Sequence, residues 1–230
     1  MQIHILTLFP ELMEAPFRHS MMKRAIEKGH LHLYIHNIRN WSTNKHNQVD
    51  DTQYGGGAGM VMMPEPIARC LDELQAETPF DEIIFVTPDG ELLDQPTANR
   101  LSGTQNIAIL CGHYKGVDQR IREKYITKEV SIGNYVLTGG ELAAAVIADA
   151  VVRLIPGVLG DETSALEDSF QDGLLSPPVY TRPADFRGIP VPEVLQSGHT
   201  ANIATWRHEQ ALIRTRERRP ELYEKFMQGE

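Results

Sequence analysis

Residues 106–116 have the sequence NIAILCGHYKG, an apolar run followed by a loop that contains two glycines. Ile107 to Leu110 are apolar without alternation, and residues 83–86, IIFV, have the same character. Uninterrupted apolar runs of this length are typical of central strands in parallel sheets, which are buried on both faces. We therefore predict a buried strand followed by a loop at each of these two places.

Further β-rich segments lie on both sides of this stretch, and segments long enough for helices separate them. Strands are predicted at residues 3–9, 31–35, 82–87, 106–111 and 129–132, and helices at 20–28, 65–75 and 141–155. Strands that alternate with helices predict an α/β fold with a mostly parallel sheet and helices on both faces.

A second, smaller unit is predicted beyond the long helix. Residues 160–173 carry five acidic and no basic groups, and we interpret them as a flexible linker. A proline-rich turn region follows, and then a helix at about residues 201–218, which Ser197 or Thr200 is placed to cap. The predicted division is a domain at residues 1–159, a linker at 160–173 and a helical domain at 174–230.

Composition excludes several classes of protein. With 22 basic and 31 acidic groups the 230-residue chain has a formal charge of −9, which argues against a simple nucleic-acid coat protein. Its two cysteines form neither a zinc nor a disulfide pattern, and we predict no metal site. No apolar run approaches the roughly 20 residues that cross a bilayer. The initial MQIHIL lacks the features of a signal peptide, so we expect a cytoplasmic protein without membrane association.

Three predicted strands end in glycine-bearing loops. Their sequences are TPDG at 87–90, GHYKG at 112–116 and IGNYVLTGG at 132–140. Ligands of open α/β sheets bind beyond the carboxyl ends of strands, where glycine lets the backbone approach them closely. The helix predicted from Glu141 would direct free N–H groups at the same place. The pattern predicts a small ligand with an anionic group, and for any single loop an ordinary glycine turn is the alternative.

A fourth glycine-rich stretch, DDTQYGGGAGM, occupies residues 50–60. It lacks the Lys-Ser/Thr pair of a P-loop and the third glycine of a dinucleotide fingerprint. We interpret it either as a flexible hinge or as a loop that closes over a planar substrate.

Several longer runs closely resemble the bacterial tRNA (guanine-N1)-methyltransferases. They are VDD at 49–51 with YGGG at 54–57, SIGNYVLTGGEL at 131–142, RLIPGVLG at 153–160, EDSF at 167–170 and YTRP at 180–183. The resemblance implies a SPOUT-class domain with a trefoil knot that binds S-adenosylmethionine, followed by a small tRNA-binding domain. It also implies a homodimer with shared active sites, which methylates N1 of guanosine 37 in tRNA.

The resemblance also assigns roles to individual residues. Cofactor contacts fall on the same three loops, at Val86, Thr87, Pro88, Gly112, Tyr114, Ile132, Gly133, Asn134, Tyr135, Val136, Leu137, Gly139 and Gly140. Asp168 matches the general base and Arg153 its assistant, while Asp50, Gly59 and Ser164 match positions near the target guanine. From the residues alone, Arg153 could instead be a cation at a helix C-terminus, and Asp168 one carboxylate of a solvated acidic segment.

Three arginines of the C-terminal helix are spaced by seven and four residues. Arg207, Arg214 and Arg218 therefore lie on one helical face. We interpret them as a stripe that contacts phosphates, the alternative being an ordinary solvated surface.

One departure from the family concerns charge near the second loop. Lys115 stands where the family usually has Glu, and Gln119 replaces another common Glu. Both changes bear on the Mg²⁺ dependence that the resemblance implies. Two alternative functions stay open: a non-catalytic tRNA-binding protein with this fold, and a SPOUT methyltransferase with another RNA target.

Overall fold

A computed structural model describes residues 1–160, 165 and 167–229 of the chain. The chain divides into two compact units, Met1–Gly160 and Asp161–Glu230, and each is described by itself.

The first unit is built on a five-stranded parallel sheet. Its strands pair in the order β2-β1-β6-β5-β7, and β3 with β4 forms a separate antiparallel hairpin. The strands are β1 (Gln2–Thr7), β2 (His32–Asn37), β3 (Asp50–Thr52), β4 (Met60–Met62), β5 (Glu82–Leu92), β6 (Asn106–Cys111) and β7 (Lys128–Ser131). The predicted parallel sheet is confirmed.

Helices cover both faces of this sheet, as predicted. They are α1 (Pro10–Phe17), α2 (Ser20–Glu27), α3 (Pro64–Glu77), α4 (Gln95–Ser102), α5 (Gln119–Lys124) and α6 (Glu141–Val152). Side chains of α1, α2, α4 and α6 form one buried cluster, and those of α3 and α5 form another. The α/β fold class is therefore confirmed, while the trefoil knot stays a prediction.

Strand β6 lies at the centre of the sheet and contributes to both clusters. Ile107 and Ile109 face the first cluster, whereas Ala108 and Leu110 face the second. Every residue of the strand is buried. Since a fully buried Ile or Leu side chain contributes roughly 1.5–3 kcal/mol, this strand anchors the loop that follows it.

Strand β5 differs from its prediction, because it does not end at Thr87. Val86 and Glu91 both lie opposite Val130, so residues 87–90 leave the sheet between them and the strand resumes. A Cβ on Gly90 would come within 2.6 Å of the carbonyl carbon of Glu129, which shows how closely this loop folds onto β7.

The second unit is mostly helical. It contains a short hairpin, β8 (Asp185–Phe186) with β9 (Ile189–Pro190), and the helices α7 (Glu193–Gln196), α8 (Thr200–Arg218) and α9 (Pro220–Gln228). Thr215 is buried in α8, and its hydroxyl accepts a hydrogen bond of 2.9 Å from the N–H of Leu175. This bond fixes the segment around Leu175, which precedes the hairpin, to the long helix.

The start of α8 corrects one prediction. His199 occupies the N-cap position and no side chain caps the helix. The Ser197 hydroxyl instead donates to the carbonyl of Val194 at 2.7 Å and so closes the preceding turn. Among the described residues, no helix combines the length and the apolar character needed to cross a membrane.

Candidate functional site

A cavity of about 330 Å³ lies where β5, β6 and β7 are followed by their glycine-bearing loops. The volume falls in the range of roughly 300–1,000 Å³ that is usual for small-molecule sites. Its position at the carboxyl ends of parallel strands is the one that the sequence predicted.

The loops meet at Gly140. Its N–H donates to the carbonyl of Gly112 at 2.9 Å, which joins the third loop to the second. A Cβ on Gly140 would lie 2.8 Å from both the Cα of Cys111 and the Cγ2 of Val86. Only glycine therefore lets the third loop lie against the ends of β5 and β6.

Twelve of the thirteen residues predicted to contact a cofactor line this cavity. They are Val86, Thr87, Pro88, Gly112, Tyr114, Ile132, Gly133, Tyr135, Val136, Leu137, Gly139 and Gly140. Asn134 does not line it, and is exposed at a tight turn in which the Tyr135 N–H donates to the Gly133 carbonyl at 2.9 Å. Sequence reasoning missed other lining residues, among them His113, Ser131 and Thr138.

The backbone of the second and third loops is unusual. Tyr114 adopts a φ of 59° and Gly133 a φ of 152°. A left-handed conformation at a residue with a side chain costs about 1–3 kcal/mol and persists where surrounding structure enforces it. Here the N–H of Lys115 donates to the Met60 carbonyl at 2.9 Å, so strand β4 holds the loop in place.

A buried hydrogen-bonded pair, His113 and Glu141, lies beside the cavity, and His113 lines it. His113 Nε2 lies 2.8 Å from both carboxylate oxygens of Glu141, and the hydroxyl of Thr7 donates to the same carboxylate. Burial raises the pKa of Glu141, but the hydrogen bonds from His113 and Thr7 outweigh it, and the pKa lies below its usual value. Glu141 is therefore an anion that accepts hydrogen bonds from two other segments.

The residues predicted near the target base lie partly beside the second loop. Gly59 borders Lys115, because a Cβ on Gly59 would come within 2.8 Å of the Lys115 Cγ. Asp50 lies in the same hairpin, opposite Met62. The hairpin thus brings Gly59 against Lys115, which lines the cavity, whereas Asp50 and Gly59 do not line it themselves. Ser164 lies outside the described residues.

The two predicted catalytic residues belong to different units. Arg153 follows α6 directly, and its N–H donates to the Asp149 carbonyl at 3.2 Å. Asp168 lies in a turn of the second unit, where its carbonyl accepts from the N–H of Gln171 at 3.4 Å. Both therefore lie beside the boundary between the two units at Gly160 and Asp161 along the chain.

The three predicted phosphate-binding arginines all lie on α8. At 100° per residue their side chains fall within about 40° of one another around the helix axis. Arg207 and Arg218 are exposed and Arg214 is half-buried. Within the described part of the chain, no group of His, Cys, Asp and Glu side chains is arranged to hold a metal ion.

A parallel sheet with a glycine-lined cavity at the ends of its central strands defines a small-ligand-binding α/β protein. The sequence model of the family described as tRNA (Guanine-1)-methyltransferase TrmD matches residues 1–225. The chain therefore belongs to this family, which is of the SPOUT class.

Similar proteins carry the same description. The chain is 60% identical to a tRNA (guanine-N(1)-)-methyltransferase of Flavobacterium johnsoniae, covering 97% of this chain and 99% of that protein. It is 60% identical to a protein of the same name from Cytophaga hutchinsonii, covering 98% and 96%. It is 59% identical to one from Bacteroides thetaiotaomicron, covering 97% and 100%.

Proposed function

We propose that this protein transfers a methyl group from S-adenosylmethionine to N1 of guanosine 37 in tRNA, next to the anticodon. The observation that carries the proposal is the cavity formed by three glycine-bearing loops in a member of this methyltransferase family. Its relatives are named for methylation of guanine N1 in tRNA.

The cavity suits the donor. A Cβ on Gly112, Gly139 or Gly140 would meet neighbouring protein atoms at 3.0 Å or less, so these glycines let the loops pack together around the cavity. Tyr135, Val136 and Leu137 line it and present exposed apolar surface. When bound, S-adenosylmethionine supplies an electrophilic methyl group. The twelve predicted lining residues would hold it, and Asn134 is the predicted contact that the geometry supports least.

Proton removal is assigned to Asp168. Guanine N1 carries a proton and becomes a good nucleophile only when that proton leaves, and a positioned carboxylate base gives roughly 10²–10⁴-fold acceleration. The negative charge then spreads to O6, where the guanidinium of Arg153 would stabilise it. Asp50, Gly59 and Ser164 are proposed to contact the base.

We propose that a second copy of the chain completes the site. Leu12 on α1 is 56% exposed, and Leu142 on α6 is 63% exposed. Val146 is also exposed and lies on the same face of α6 as Leu142, and Arg153 follows at the end of that face. A partner covering this apolar face would carry its own residues to Arg153, as a shared active site requires.

The second unit would bind the tRNA. We assign residues 1–159 to donor binding, 160–173 to a linker and 174–230 to tRNA binding, with Arg207, Arg214 and Arg218 on phosphates. For this donor and substrate we propose an activity in the cytoplasm. Both cysteines are free and buried, in agreement with a reducing compartment.

Lys115 makes a dependence on Mg²⁺ testable. It replaces a family carboxylate beside Gly59 and so puts a positive charge at this wall of the cavity. If Mg²⁺ takes part in the reaction, Lys115→Glu should shift the Mg²⁺ concentration needed for half-maximal turnover. An unchanged metal titration would reject a role for Lys115.

Methyl transfer to unmodified tRNA tests the proposal. We expect the parent protein to methylate the transcript, and Asp168→Asn to reduce turnover by about 10²–10⁴-fold without changing the affinity for S-adenosylhomocysteine. Asp172→Asn, a nearby acid of the same segment, is the control and should keep its activity.

The outcomes also separate the alternatives. A protein that binds tRNA but gives no methylated product is the non-catalytic protein. Methylation that persists when guanosine 37 is replaced by adenosine indicates another target.

A further inference from the structure

Glu141 connects three segments that are distant in sequence. Its carboxylate accepts from Thr7 at the end of β1 and from His113 in the second loop, while Glu141 itself opens α6 directly after the third loop. The side chain is 3% exposed and that of His113 is 12% exposed. Water therefore competes little for these hydrogen bonds.

The third loop rests on this pair. A Cβ on Gly139 would lie 2.2 Å from the His113 ring and 2.6 Å from a carboxylate oxygen of Glu141. The backbone of Gly139 therefore lies directly against the pair. A rotation of His113 would remove the support of the loop that contributes the largest share of the cavity lining.

Other contacts limit the freedom of the imidazole. The ring of Phe9 meets it edge-on, with centroids 4.9 Å apart, and the N–H of Phe9 donates to the Thr7 hydroxyl at 2.9 Å. The backbone nitrogen of His113 lies 3.3 Å from the Sδ atom of Met62, so the main chain at His113 is also held. Since a carboxylate only accepts, Nε2 of His113 must carry the proton in this arrangement.

We propose that Glu141 is a positioning residue for the methyl donor, acting through His113 and Thr7 to hold the second and third loops in the geometry that binds it. This rests on the proposed donor site, because the same cavity is involved. It assigns a role to two residues, His113 and Glu141, that do not take part in the proposed proton transfer.

Glu141→Gln tests the role with little change in volume. Glutamine offers one acceptor instead of two and puts an amide N–H₂ against a group that donates. We expect the dissociation constant for S-adenosylhomocysteine to rise by about tenfold or more, since a buried polar group is left without a partner. The KM for the donor should rise in parallel, while the KM for tRNA and kcat at saturating donor change by less than about threefold.

Glu82→Gln is a matched control. Glu82 also accepts from a threonine hydroxyl, that of Thr127, and from a cation, Arg100. It is the first residue of β5 and precedes the loop at 87–90, and it does not line the cavity. We expect its affinity for S-adenosylhomocysteine to equal that of the parent.

Two results separate failure of this proposal from failure of the donor site. If the parent protein gives no calorimetric heat with S-adenosylhomocysteine, the donor site itself is wrong. If the parent binds and Glu141→Gln binds equally well, the donor site stands and the positioning role is wrong. A lower kcat with unchanged KM for the donor would likewise reject positioning.

Thr7→Val keeps the experiment decisive if Glu141→Gln does not fold. It removes the hydrogen bond from Thr7 to the carboxylate and the acceptor of the Phe9 N–H, and leaves the hydrogen bond between His113 and Glu141 in place. We expect a smaller rise in the same dissociation constant, about threefold. In nitrogen NMR spectra of the parent, His113 should show a protonated Nε2, and an imidazole without that proton would contradict the proposed arrangement.

Discussion

The two units of the molecule bury very different amounts of apolar surface. In Met1–Gly160 a cluster of buried side chains covers each face of the sheet. In the second unit the buried apolar side chains among the described residues are Leu174 and Ala211, whereas Ile213 and Met227 are exposed.

This difference separates two kinds of binding surface. The cavity of the first unit is built from loops that follow buried strands, so the packing of those strands positions it. The arginine stripe of the second unit, Arg207, Arg214 and Arg218, lies on one face of α8, with Arg207 and Arg218 exposed, and needs no enclosing core. We therefore expect donor binding to depend on packing, and tRNA binding to depend on charge.

The largest expected effect comes from packing at the cavity. Gly140→Ala places a Cβ 2.8 Å from the Cα of Cys111 and 2.9 Å from the backbone nitrogen of Gly112. Overpacking of this kind costs about 1–3 kcal/mol and displaces the third loop. Calorimetry should show the affinity for S-adenosylhomocysteine falling by about 100-fold, with tRNA binding retained.

Gly103→Ala is the control for this substitution. A Cβ there would lie 3.5 Å from the nearest atom, the carbonyl oxygen of Arg100, which is an ordinary contact. Its donor affinity should match that of the parent. Equal affinities for the two variants would contradict the packing argument.

A smaller effect is expected from charge on the second unit. Replacement of Arg207, Arg214 and Arg218 by Gln should weaken tRNA binding by about tenfold at 0.1 M salt. It should also lower the slope of log affinity against log salt by about two, because each lost phosphate contact removes roughly 0.7–0.9. Filter binding over a salt series measures both quantities.

Arg216→Gln tests whether the face of the helix matters. Arg216 is exposed and lies on the opposite side of α8 from Arg207. For Arg216→Gln we expect no change in the slope of log affinity against log salt. Neither this variant nor the triple arginine variant should change donor binding. A slope change equal to that of a stripe arginine would show that only total charge counts.

The sequence predicts those features of the first unit that are local in the chain, and it misses the contacts between distant segments. The buried strands and the three loops are visible because each is a local pattern: an apolar run followed by glycine. The pair between His113 and Glu141 cannot be seen in the sequence, because the two residues lie 28 positions apart and meet only when Gly140 packs on Gly112. Strand β5 leaves the sheet at residues 87–90 and resumes after Gly90. This depends on the register between β5 and β7, and no local sequence pattern encodes that register.

The last predicted effect concerns stability, because a pair of histidines, His4 and His36, makes the first unit sensitive to acid. His4 Nδ1 and His36 Nε2 lie 3.0 Å apart, and His4 Nε2 is buried without a hydrogen-bond partner. Burial, with His36 adding to it, lowers the pKa of His4 from 6.5 to about 4. Burial also lowers the pKa of His36, although Glu77 and Glu73 oppose this.

The sign of the pH dependence follows from these directions. Between pH 6.5 and about 4 the unfolded chain binds a proton at His4 that the folded chain does not, so stability falls as the pH falls. We expect the first unit to lose about 1–2 kcal/mol in its free energy of unfolding between pH 7 and pH 5. His4→Phe, which cannot titrate, should lose less over the same range.

Fluorescence can assign this loss to one unit. The chain has two tryptophans, Trp41 in the first unit and Trp206 in the second. In a Trp206→Phe background the denaturation curve follows Trp41, whose ring centroid lies 6.0 Å from that of His36. His32→Gln, at an exposed position of β2, is the control and should keep the pH dependence of the parent. A Trp41→Phe variant reports Trp206 in the same way. Because the pair forms part of the sheet, a steeper acid response in the Trp41→Phe variant than in the Trp206→Phe variant would reverse the comparison between the units.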